Sequence, residues 1–407
     1  MSSKSVVLII SPVASHPPLG GNLQRVNEVA CAVRQLGYDP FFLYYPLKRK
    51  GCTPEEREAL RNFWGDRHYV AGIQDFGMNW RHRLLSSSKY WLSRFRLSKR
   101  LPRLINWLHD CLMHEDAYVP PKMVEWVQGF VEREKPVACI CEYFHFTRVY
   151  EALDAGIRKV VDTHDVFTDR NHRISHELGQ LHCWYSLTRE QEKRTLSRAN
   201  AVLAIQGHEK QHFDDLLPRE MEVLTVDHLT RPVSLERSLG EAEVLGYLGS
   251  ANTINLNGLR WFLEKCWPQI QSRVPQAKLV IAGTICRSLE DGPYEKLGLI
   301  DDLKDFYSVV DFTINPVFSG SGLKIKTAQS MTYAVPVVST DIGLHGMESG
   351  IGHGLFRANA ADEMIGVCVK LLNDPSEISK ASDALKTHYC MILERSLSGL
   401  RRALLVD

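Results

Sequence analysis

The chain has 407 residues, of which 44% are hydrophobic and 24% charged, and its formal net charge at pH 7 is +1. This composition is typical of a globular protein of two domains, and it argues against disorder and against general nucleic-acid binding. The ten cysteines include no CxxC pair, so we expect reduced thiols rather than disulfides or a zinc site. No apolar run approaches the roughly 20 residues of a spanning helix, and the first residues resemble a strand more than a secretion signal. We therefore expect a cytoplasmic protein.

Residues 1–228 predict a Rossmann-like α/β domain. The apolar run Val6–Ile10 indicates a buried strand, and a loop with Gly20 and Gly21 leads into a helix that should begin near Asn22. Further strands are predicted at 41–45, 137–141, 160–162 and 201–205. A strand, a glycine loop, a helix and a second strand in this order are typical of a doubly wound domain.

A basic helical insertion is predicted at about 48–135, and its most unusual part is the segment 76–109. This segment contains eight Lys or Arg residues, several aromatic residues, and neither Asp nor Glu. One interpretation is a helical surface that contacts an anionic membrane or a lipid-linked substrate. The alternative is a solvated helical insertion whose aromatic residues cover the core.

Residues 241–378 predict a second Rossmann-like domain, with strands at 244–248, 278–282, 312–315 and 335–339. The helical pattern of 376–405 is long enough to cross back to the first domain, so we assign 379–407 to that domain. Two such domains would face each other across a central cleft, because ligands of α/β domains bind at the carboxyl ends of the strands.

Residues 315–340 carry the clearest functional signal. The Ser-Gly-Ser-Gly sequence at 319–322 permits backbone N–H groups to approach an anion closely. The helix that follows directs the positive end of its dipole to the same place, and Lys324 and Lys326 add two full charges. This arrangement suits a polyanion, and a nucleotide diphosphate is the ligand we expect.

Four segments together carry a family resemblance. They are Pro17–Arg25; Val160–Val166; Leu248–Ser250 with 257–262 and 277–283; and Gly320–Lys326 with Pro336–Thr340. In this order the segments resemble the motifs of GT-B glycosyltransferases, specifically retaining family 4. The likeness is strongest from 244 to 346 and weak across 48–135.

The resemblance implies an enzyme that moves a sugar from a nucleotide-diphosphate sugar to an acceptor and retains the anomeric configuration. Helix ends and basic side chains hold the diphosphate in that family, so the resemblance implies no metal and no cofactor besides the donor substrate. We expect a role in bacterial surface glycan or glycoconjugate synthesis, with a glycan, lipid-linked or protein acceptor. Peripheral membrane contact through 76–109 fits this expectation, and a nucleic-acid partner does not.

The resemblance also assigns donor-binding residues. Lys324 and Lys326 match a basic pair beside the diphosphate, where cations favour the transition state over the ground state. A solvated helix face is the alternative for these lysines, and ordinary turns and helix caps are the alternative for the other candidates. The other donor-binding candidates are Gly20, Gly21, Arg25, Gly249, Ser250, Asn252, Ser319, Gly320, Ser321, Gly322 and Gln329.

Lys326 is also a catalytic candidate, together with three residues that follow predicted strands of the first domain. His164 matches a family histidine beside the donor sugar, or else it is a loop histidine bonded to a neighbouring aspartate. Asp165 could hold His164, bind acceptor hydroxyls or cap a helix. Glu142 could accept the proton of the acceptor hydroxyl, or it could pair with Arg148.

The chain departs from the family where many members carry two glutamates, since it has Ser321 and Gln329 at these positions. Gln329 keeps a carbonyl acceptor but loses the charge. Ala334 stands where glycine is usual. Two alternatives to an active transferase follow. The first is a non-catalytic nucleotide-sugar-binding or scaffold protein, which Gln329 favours. The second is a sugar-nucleotide epimerase, which would need Glu142 as its base.

Overall fold

The computed structural model describes residues 4–18, 21–47, 51–77, 115–173, 185–235, 243–319 and 324–405. The predicted site residues Gly20, Gly320, Ser321 and Gly322 lie outside this part of the chain, as does the segment 76–109 from residue 78 onward. The chain divides into two compact units, residues 1–229 with 395–407 and residues 230–394. Each unit holds a parallel sheet connected by helices. The predicted α/β class with two Rossmann-like domains is therefore confirmed.

The first unit contains the sheet β3-β2-β1-β4-β5-β6-β7. Its strands are β1 (Val6–Ser11), β2 (Asp39–Tyr44), β3 (His68–Val70), β4 (Ala138–Glu142), β5 (Arg158–Asp162), β6 (Ala201–Ala204) and β7 (Glu222–Thr225). Its helices are α1 (Gly21–Gln35), α2 (Pro54–Trp64), α3 (Ile73–Phe76), α4 (Pro121–Glu134), α5 (Arg189–Leu196) and α6 (Gly207–Leu216). The central strands are buried, as in parallel sheets that helices cover on both faces, and this burial requires their continuous apolar runs.

Both ends of the predicted insertion 48–135 are regular elements of this α/β unit. Thr53 begins α2 with a capping box, in which its hydroxyl accepts the N–H of Glu56 at 3.2 Å and the Glu56 carboxylate accepts the N–H of Thr53 at 3.0 Å. β3 then extends the sheet in parallel with β2, and α4 leads into β4. β3 was not predicted from the sequence, because its three residues are only partly buried and form no apolar run.

The second unit contains the sheet β10-β9-β8-β11-β12-β13. Its strands are β8 (Val244–Leu248), β9 (Lys278–Ala282), β10 (Glu295–Gly298), β11 (Phe312–Asn315), β12 (Val337–Ser339) and β13 (Leu355–Arg357). Its helices are α7 (Thr253–Lys265), α8 (Trp267–Arg273), α9 (Leu303–Val309), α10 (Ile325–Thr332), α11 (Asp341–Leu344), α12 (Ala361–Asn373) and α13 (Pro375–Leu404). The bounds of β8, β9 and β11 are those predicted from the sequence.

The final helix, α13, contributes to both units. Leu385 and Tyr389 pack into a core cluster of the second unit, whereas the Ser396 hydroxyl accepts the N–H of Asp227 at 3.0 Å in the first unit. The part of α13 that belongs to the first unit begins at Arg395 and not at residue 379 as predicted. The earlier turns of the helix belong to the second unit, because they bury apolar side chains there. Although α13 has 30 residues, neither it nor any other helix of the described chain is apolar enough to cross a membrane.

A close backbone contact fixes the loop that follows β11. Gly258 lies inside α7, and a Cβ atom at this position would collide with the carbonyl oxygen of Pro316. The contact holds α7 against the residues that lead to Ser319 and the predicted glycine loop. Gly258 is therefore a packing residue whose small size positions this loop.

Replacing Gly258 by Ala should destabilise the protein by about 1–3 kcal/mol, because the added methyl group overpacks the contact with Pro316. Urea unfolding monitored by tryptophan fluorescence measures this loss. The matched control is Gly366→Ala in α12, where a Cβ atom meets nothing within 4 Å. This control should gain up to about 1 kcal/mol from helix propensity. Equal effects at the two glycines would contradict the packing role of Gly258.

Candidate active site

Two buried carboxyl groups end neighbouring strands of the first unit. Glu142 is the last residue of β4 and Asp162 is the last residue of β5, and the strand register pairs the two residues directly. Both side chains are fully buried. Parallel strands bring their carboxyl ends to one edge of the sheet, which is the edge where α/β domains bind ligands.

Arg25 of α1 neutralises Asp162. Its Nε and Nη2 donate to the two carboxylate oxygens at 2.8 and 3.0 Å, and its Nη1 donates to the carbonyl oxygen of Asp227 at 2.5 Å. Burial alone would raise the pKa of Asp162, but Arg25 and then His164 hold it below its usual value. Arg25 therefore has a structural role inside the first unit in place of the predicted donor contact, because these bonds engage its buried guanidinium.

His164 follows β5 and contacts the carboxyl pair. Its Nε2 lies 2.6 Å from Oε2 of Glu142 and 3.6 Å from Oδ2 of Asp162, and its ring stacks on Tyr143 with centroids 3.9 Å apart. His164 and Tyr143 have φ angles of 60° and 65°, a conformation that costs about 1–3 kcal/mol per residue and recurs at functional sites. Glu142 thus pairs with His164 and not with Arg148, the alternative left open by the sequence.

Glu142 lies in an environment that disfavours its ionised form. Its Oε1 has no hydrogen-bond partner among the described residues. Burial and the charge of Asp162 raise the pKa of Glu142 to about 7, against the lowering effects of His164 and Arg25. The Glu142 carboxyl group therefore changes its protonation near neutral pH.

The same three groups have a spacing that a metal ion would fit. Glu142, Asp162 and His164 each place one ligand atom within 4.8 Å of the others. However, both oxygens of Asp162 accept hydrogen bonds from Arg25, so a cation here would have to displace a guanidinium group. The charge balance therefore favours hydrogen bonding over metal binding at this cluster.

Asp165 organises the chain just after His164. Its Oδ1 accepts the N–H of Val166 at 2.9 Å, and its Oδ2 accepts from Nε of Arg170 at 2.7 Å. Among the three roles that the sequence left open, this geometry matches a local cap of the following turn. It does not bring the Asp165 carboxylate into contact with the His164 ring.

Replacing Arg25 by Met should destabilise the protein by about 3–5 kcal/mol, because the Asp162 carboxylate stays buried without its partner. The double variant Arg25→Met, Asp162→Asn should recover part of this loss, since the amide carries no charge. Urea unfolding of the single and double variants forms a thermodynamic cycle. Strictly additive losses would contradict a direct interaction between the two side chains.

Lys326 is a partly buried cation that lies in the first turn of α10 in the second unit. Its Nζ lies 2.7 Å from Oδ1 of Asn255, 3.2 Å from the hydroxyl of Tyr247 and 3.4 Å from Oδ1 of Asn315. The same ammonium group lies 4.9 Å from the centroid of the Tyr247 ring. These partners are all neutral, and no carboxylate among the described residues forms an ion pair with Lys326.

No negatively charged group among the described residues balances the charge of the Lys326 ammonium group. Burial, with a further effect of nearby Lys324, lowers the pKa of Lys326 to about 7. Deprotonation relieves this cost when no anion is present, and an anion in contact with the group would raise the pKa again. The site is therefore built for a negatively charged ligand.

Asn255 connects Lys326 to the loop after β8. Its Nδ2 donates to the carbonyl oxygen of Ser250 at 2.9 Å and to the Ser250 hydroxyl at 3.1 Å, so its Oδ1 faces Lys326. Asn252 caps α7 by accepting the N–H of Asn255 at 2.9 Å. Three predicted donor residues, Ser250, Asn252 and Lys326, thus belong to one hydrogen-bonded network.

Gly249 lies at a close crossing of the loops after β8 and β9. Its carbonyl oxygen accepts the N–H of Ile285 at 3.2 Å, and a Cβ atom on Gly283 would collide with that oxygen. Gly283 also has a φ of 98°, which favours glycine. The predicted donor residue Gly249 therefore has a packing role, which its prediction from the sequence did not include.

Of the other predicted donor residues that the structure describes, Gly21 is the first residue of α1 in the first unit, and the remaining three lie in or just before α10. Ser319 is the last described residue before the predicted glycine loop, Lys324 is the N-cap residue of α10, and Gln329 follows Lys326 by three positions on the same helix face. Ala334 has a φ of 52° where glycine is usual in the family that the sequence resembles. The turn between α10 and β12 needs a left-handed residue, and this need explains the usual glycine.

Sequence reasoning missed several residues that complete these sites. Tyr247, Asn255 and Asn315 supply the neutral oxygens around Lys326, and Asp162 is the partner of Arg25. The sequence did contain a signal for three of these residues. Asp162 and Asn315 are the last residues of the buried strands β5 and β11, and Asn255 lies in the first turn of α7, the helix that follows β8. Polar residues at such positions of a parallel sheet are site candidates.

Replacing Lys326 by Met should raise the stability of the ligand-free protein by about 1–3 kcal/mol at pH 7, because a buried charge without a counter-ion is removed. The folded-state pKa of Lys326 lies below its unfolded value, so wild type gains stability as pH rises from about 7 towards 10. The advantage of Lys326→Met should therefore be largest at or below pH 7 and shrink above it. Melting curves at pH 6, 8 and 9.5 measure this trend, and a constant difference would contradict the lowered pKa.

Comparisons with known proteins agree with this geometry. Residues 242–374 match the family model described as "Glycosyl transferases group 1". A curated Klebsiella pneumoniae protein, described as an "Uncharacterized 44.6 kDa protein in cps region", is 31% identical over 124 residues. This match covers 27% of the present chain and 31% of the relative, so it reaches less than a third of the length of that relative.

Solved structures match nearly the whole chain. HepE of Anabaena, in complex with UDP, has a TM-score of 0.59 at 11% identity and covers 96% of this chain and 97% of its own. TarM, a Staphylococcus aureus protein, has a TM-score of 0.61 at 11% identity, with 100% and 99% covered. The lipopolysaccharide outer core galactosyltransferase WaaB has a TM-score of 0.54 at 13% identity, with 98% and 100% covered.

These findings define the class of protein. The fold is the GT-B fold of glycosyltransferases, as the sequence predicted. Within it, residues 242–374 match the group 1 glycosyltransferase model, and this stretch contains Lys326 and its hydrogen-bonded network. The recognition of a GT-B glycosyltransferase from its motifs is therefore confirmed.

Proposed function

We propose that this protein transfers a sugar from a nucleoside-diphosphate sugar to an acceptor. The observation that carries the proposal is the ammonium group of Lys326, whose hydrogen-bond partners among the described residues are all neutral and which lies in the stretch that matches the group 1 glycosyltransferase model. A diphosphate supplies the missing negative charge. The charge on the departing phosphate grows as the sugar–phosphate bond breaks, so this cation stabilises the transition state more than the ground state.

We further propose transfer without a bound metal and with retention of the anomeric configuration. Lys326, Lys324 and the N-terminus of α10 place positive charge where a metal ion would otherwise neutralise the diphosphate. Retention follows from the family resemblance of the motifs. His164 follows β5 of the first unit and offers its second ring nitrogen, Nδ1, to a hydroxyl group of a bound sugar.

The setting we propose is the synthesis of a bacterial surface glycan or glycoconjugate by a cytoplasmic enzyme at the inner face of the membrane. The Klebsiella pneumoniae relative from a cps region and the lipopolysaccharide galactosyltransferase WaaB both support this setting. HepE was solved with UDP, so UDP is the first diphosphate to test. Membrane contact through 76–109 stays a prediction, because this segment lies outside the described residues from 78 onward.

A second candidate is a non-catalytic protein of the same fold that binds a nucleotide sugar. Gln329 favours it, because this residue shares a helix face with Lys326 and stands where many family members carry a glutamate. Its side-chain oxygen accepts a hydrogen bond as a glutamate does but carries no charge. Binding alone therefore does not separate the two candidates, and turnover has to be measured.

The test is a panel of nucleoside diphosphates in thermal melting, followed by a turnover assay. At a hundred times its Kd, the correct diphosphate should raise the Tm by about 5–10 °C, because it binds only the folded state. Lys326→Met should lose this rise although its own ligand-free Tm is higher. Calorimetry in buffers of different ionisation enthalpy should show proton uptake on binding above pH 7, since the anion restores the charge of Lys326.

The matched control is Lys265→Met, which removes a lysine at the end of α7, where the structure pairs it with Glu264 at the protein surface. This control should keep the full ligand-induced rise. Release of free sugar or transfer from the matching nucleotide sugar, abolished in Lys326→Met, supports the transferase. Binding without turnover against every donor supports the non-catalytic alternative, and no binding of any diphosphate overturns both.

A further inference from the structure

Glu142 and His164 form a close pair in the first unit, with Oε2 of Glu142 2.6 Å from Nε2 of His164. We propose that Glu142 is a positioning residue that acts through His164 and decides whether the outer ring nitrogen of His164, Nδ1, donates or accepts a hydrogen bond. The catalytic consequence rests on the proposed function, whereas the hydrogen-bonding state of the ring is a property of the ligand-free protein. The two can therefore be tested separately.

The geometry holds the imidazole in one orientation. Nε2 lies 2.6 Å from Oε2 of Glu142, and the ring is stacked on Tyr143 at an interplanar angle of 16°. Tyr143 directly follows β4 and His164 follows β5, and both residues have positive φ angles. Nδ1 has no hydrogen-bond partner among the described residues and points away from Glu142, because the two nitrogens of an imidazole diverge. Glu142 therefore controls the inner nitrogen and leaves the outer one for a ligand.

The number of protons on the pair fixes the role of Nδ1. When Glu142 is ionised, it accepts the hydrogen of Nε2, and Nδ1 carries a lone pair that accepts. When the pair gains one proton, the inner bond is shared between Glu142 and Nε2, and the added hydrogen appears on Nδ1, which now donates. This outcome holds whether the charge is assigned to an imidazolium ion or the proton to Oε2 of Glu142, the oxygen that contacts Nε2.

The surrounding charges direct the proton to this pair. Asp162 also lies within 3.6 Å of Nε2, but its two bonds from Arg25 keep it ionised. Tyr143 stays neutral, because burial raises the pKa of its phenol. Glu142 is buried beside the Asp162 charge, and both effects raise its pKa to about 7. Among these groups Glu142 is thus the carboxylate that gains a proton close to neutral pH.

In the reaction, the pair would take up a proton from a substrate hydroxyl. The O–H bond of the hydroxyl breaks as an N–H bond forms at Nδ1, and the hydrogen of Nε2 moves to the Glu142 carboxylate. The hydroxyl oxygen bonds to the anomeric carbon of the donor sugar, and the nucleoside diphosphate leaves with the electron pair of the sugar–phosphate bond. No net charge is then left on the imidazole, which is buried beside the Arg25 guanidinium. Glu142 itself does not touch the substrate, so the direct base role predicted from the sequence is replaced by a role through His164.

The test is nitrogen NMR of ligand-free protein labelled with ¹⁵N-histidine, with the His164 signals assigned by their absence in His164→Gln. Between pH 6 and 8, Nδ1 of His164 should change from carrying a hydrogen to carrying a lone pair, with a midpoint near 7. In Glu142→Gln this step should disappear or move below pH 6, since an amide takes up no proton. The rate of sugar transfer should lose the matching pH step at an unchanged KM for the donor.

The matched control is Glu209→Gln, which alters another buried carboxyl group of the first unit, one with a pKa of about 8 raised by burial and Asp165. It does not contact His164, so the Nδ1 step should keep its midpoint within about 0.3 pH units. A titration of His164 that is the same in wild type and Glu142→Gln overturns the proposal. This result does not depend on whether the protein transfers a sugar, and circular dichroism shows that each variant is folded.

Discussion

The bond between Arg25 and Asp162 is the interaction on which the arrangement of the first unit depends. A bidentate guanidinium–carboxylate pair fixes both direction and distance, so it ties the first turns of α1 to the end of β5. The third bond of Arg25 reaches the backbone of Asp227, whose N–H donates to Ser396 of the last helix. One buried cation thus links residues that are far apart in sequence. Its charge also keeps Asp162 ionised and leaves Glu142 as the neighbour that titrates.

The cations Arg25 and Lys326 follow opposite designs. Arg25 has a full counter-charge, and guanidinium suits such a place because its planar group binds carboxylates at two points and does not deprotonate. Among the described residues, the hydrogen-bond partners of Lys326 are amide and hydroxyl oxygens, and an aromatic ring lies beside its ammonium group. A lysine suits that place because its pKa follows its surroundings. The paired Arg25 stabilises the structure of the first unit, whereas the charge of Lys326 stays without a counter-charge until an anion binds.

The sequence predicted the central parts of both sheets and missed their edges. β8, β9 and β11 are buried strands, so their apolar runs are continuous and their bounds could be read directly. The unpredicted strands β3, β7, β10 and β13 all lie at sheet edges, where partial burial removes the apolar run. An edge strand forms because it pairs with the neighbouring strand of the sheet, and this pairing cannot be read from the residues of the edge strand alone.

The same distinction applies to the candidate sites. Glu142 and His164 could be identified as strand-end residues, because parallel topology brings such residues to one edge of a sheet. Their direct contact could not be predicted, since it depends on the register between β4 and β5 and on the positive φ of His164. Similarly, Lys326 was visible in its motif, whereas the role of Asn255 depends on the orientation of one amide group.

The environment of Lys326 also makes this residue chemically reactive. An amine with a pKa of about 7 is largely a free base in mildly alkaline solution, where surface lysines are still protonated and inert towards electrophiles. Burial that prepares the group for a phosphate thus turns it into a nucleophile as well. A nucleotide that carries an aldehyde or an activated ester near its phosphates would be delivered to this amine and would form a covalent bond there. The unpaired charge of Lys326 therefore makes this residue the expected attachment site of such a nucleotide-based affinity label.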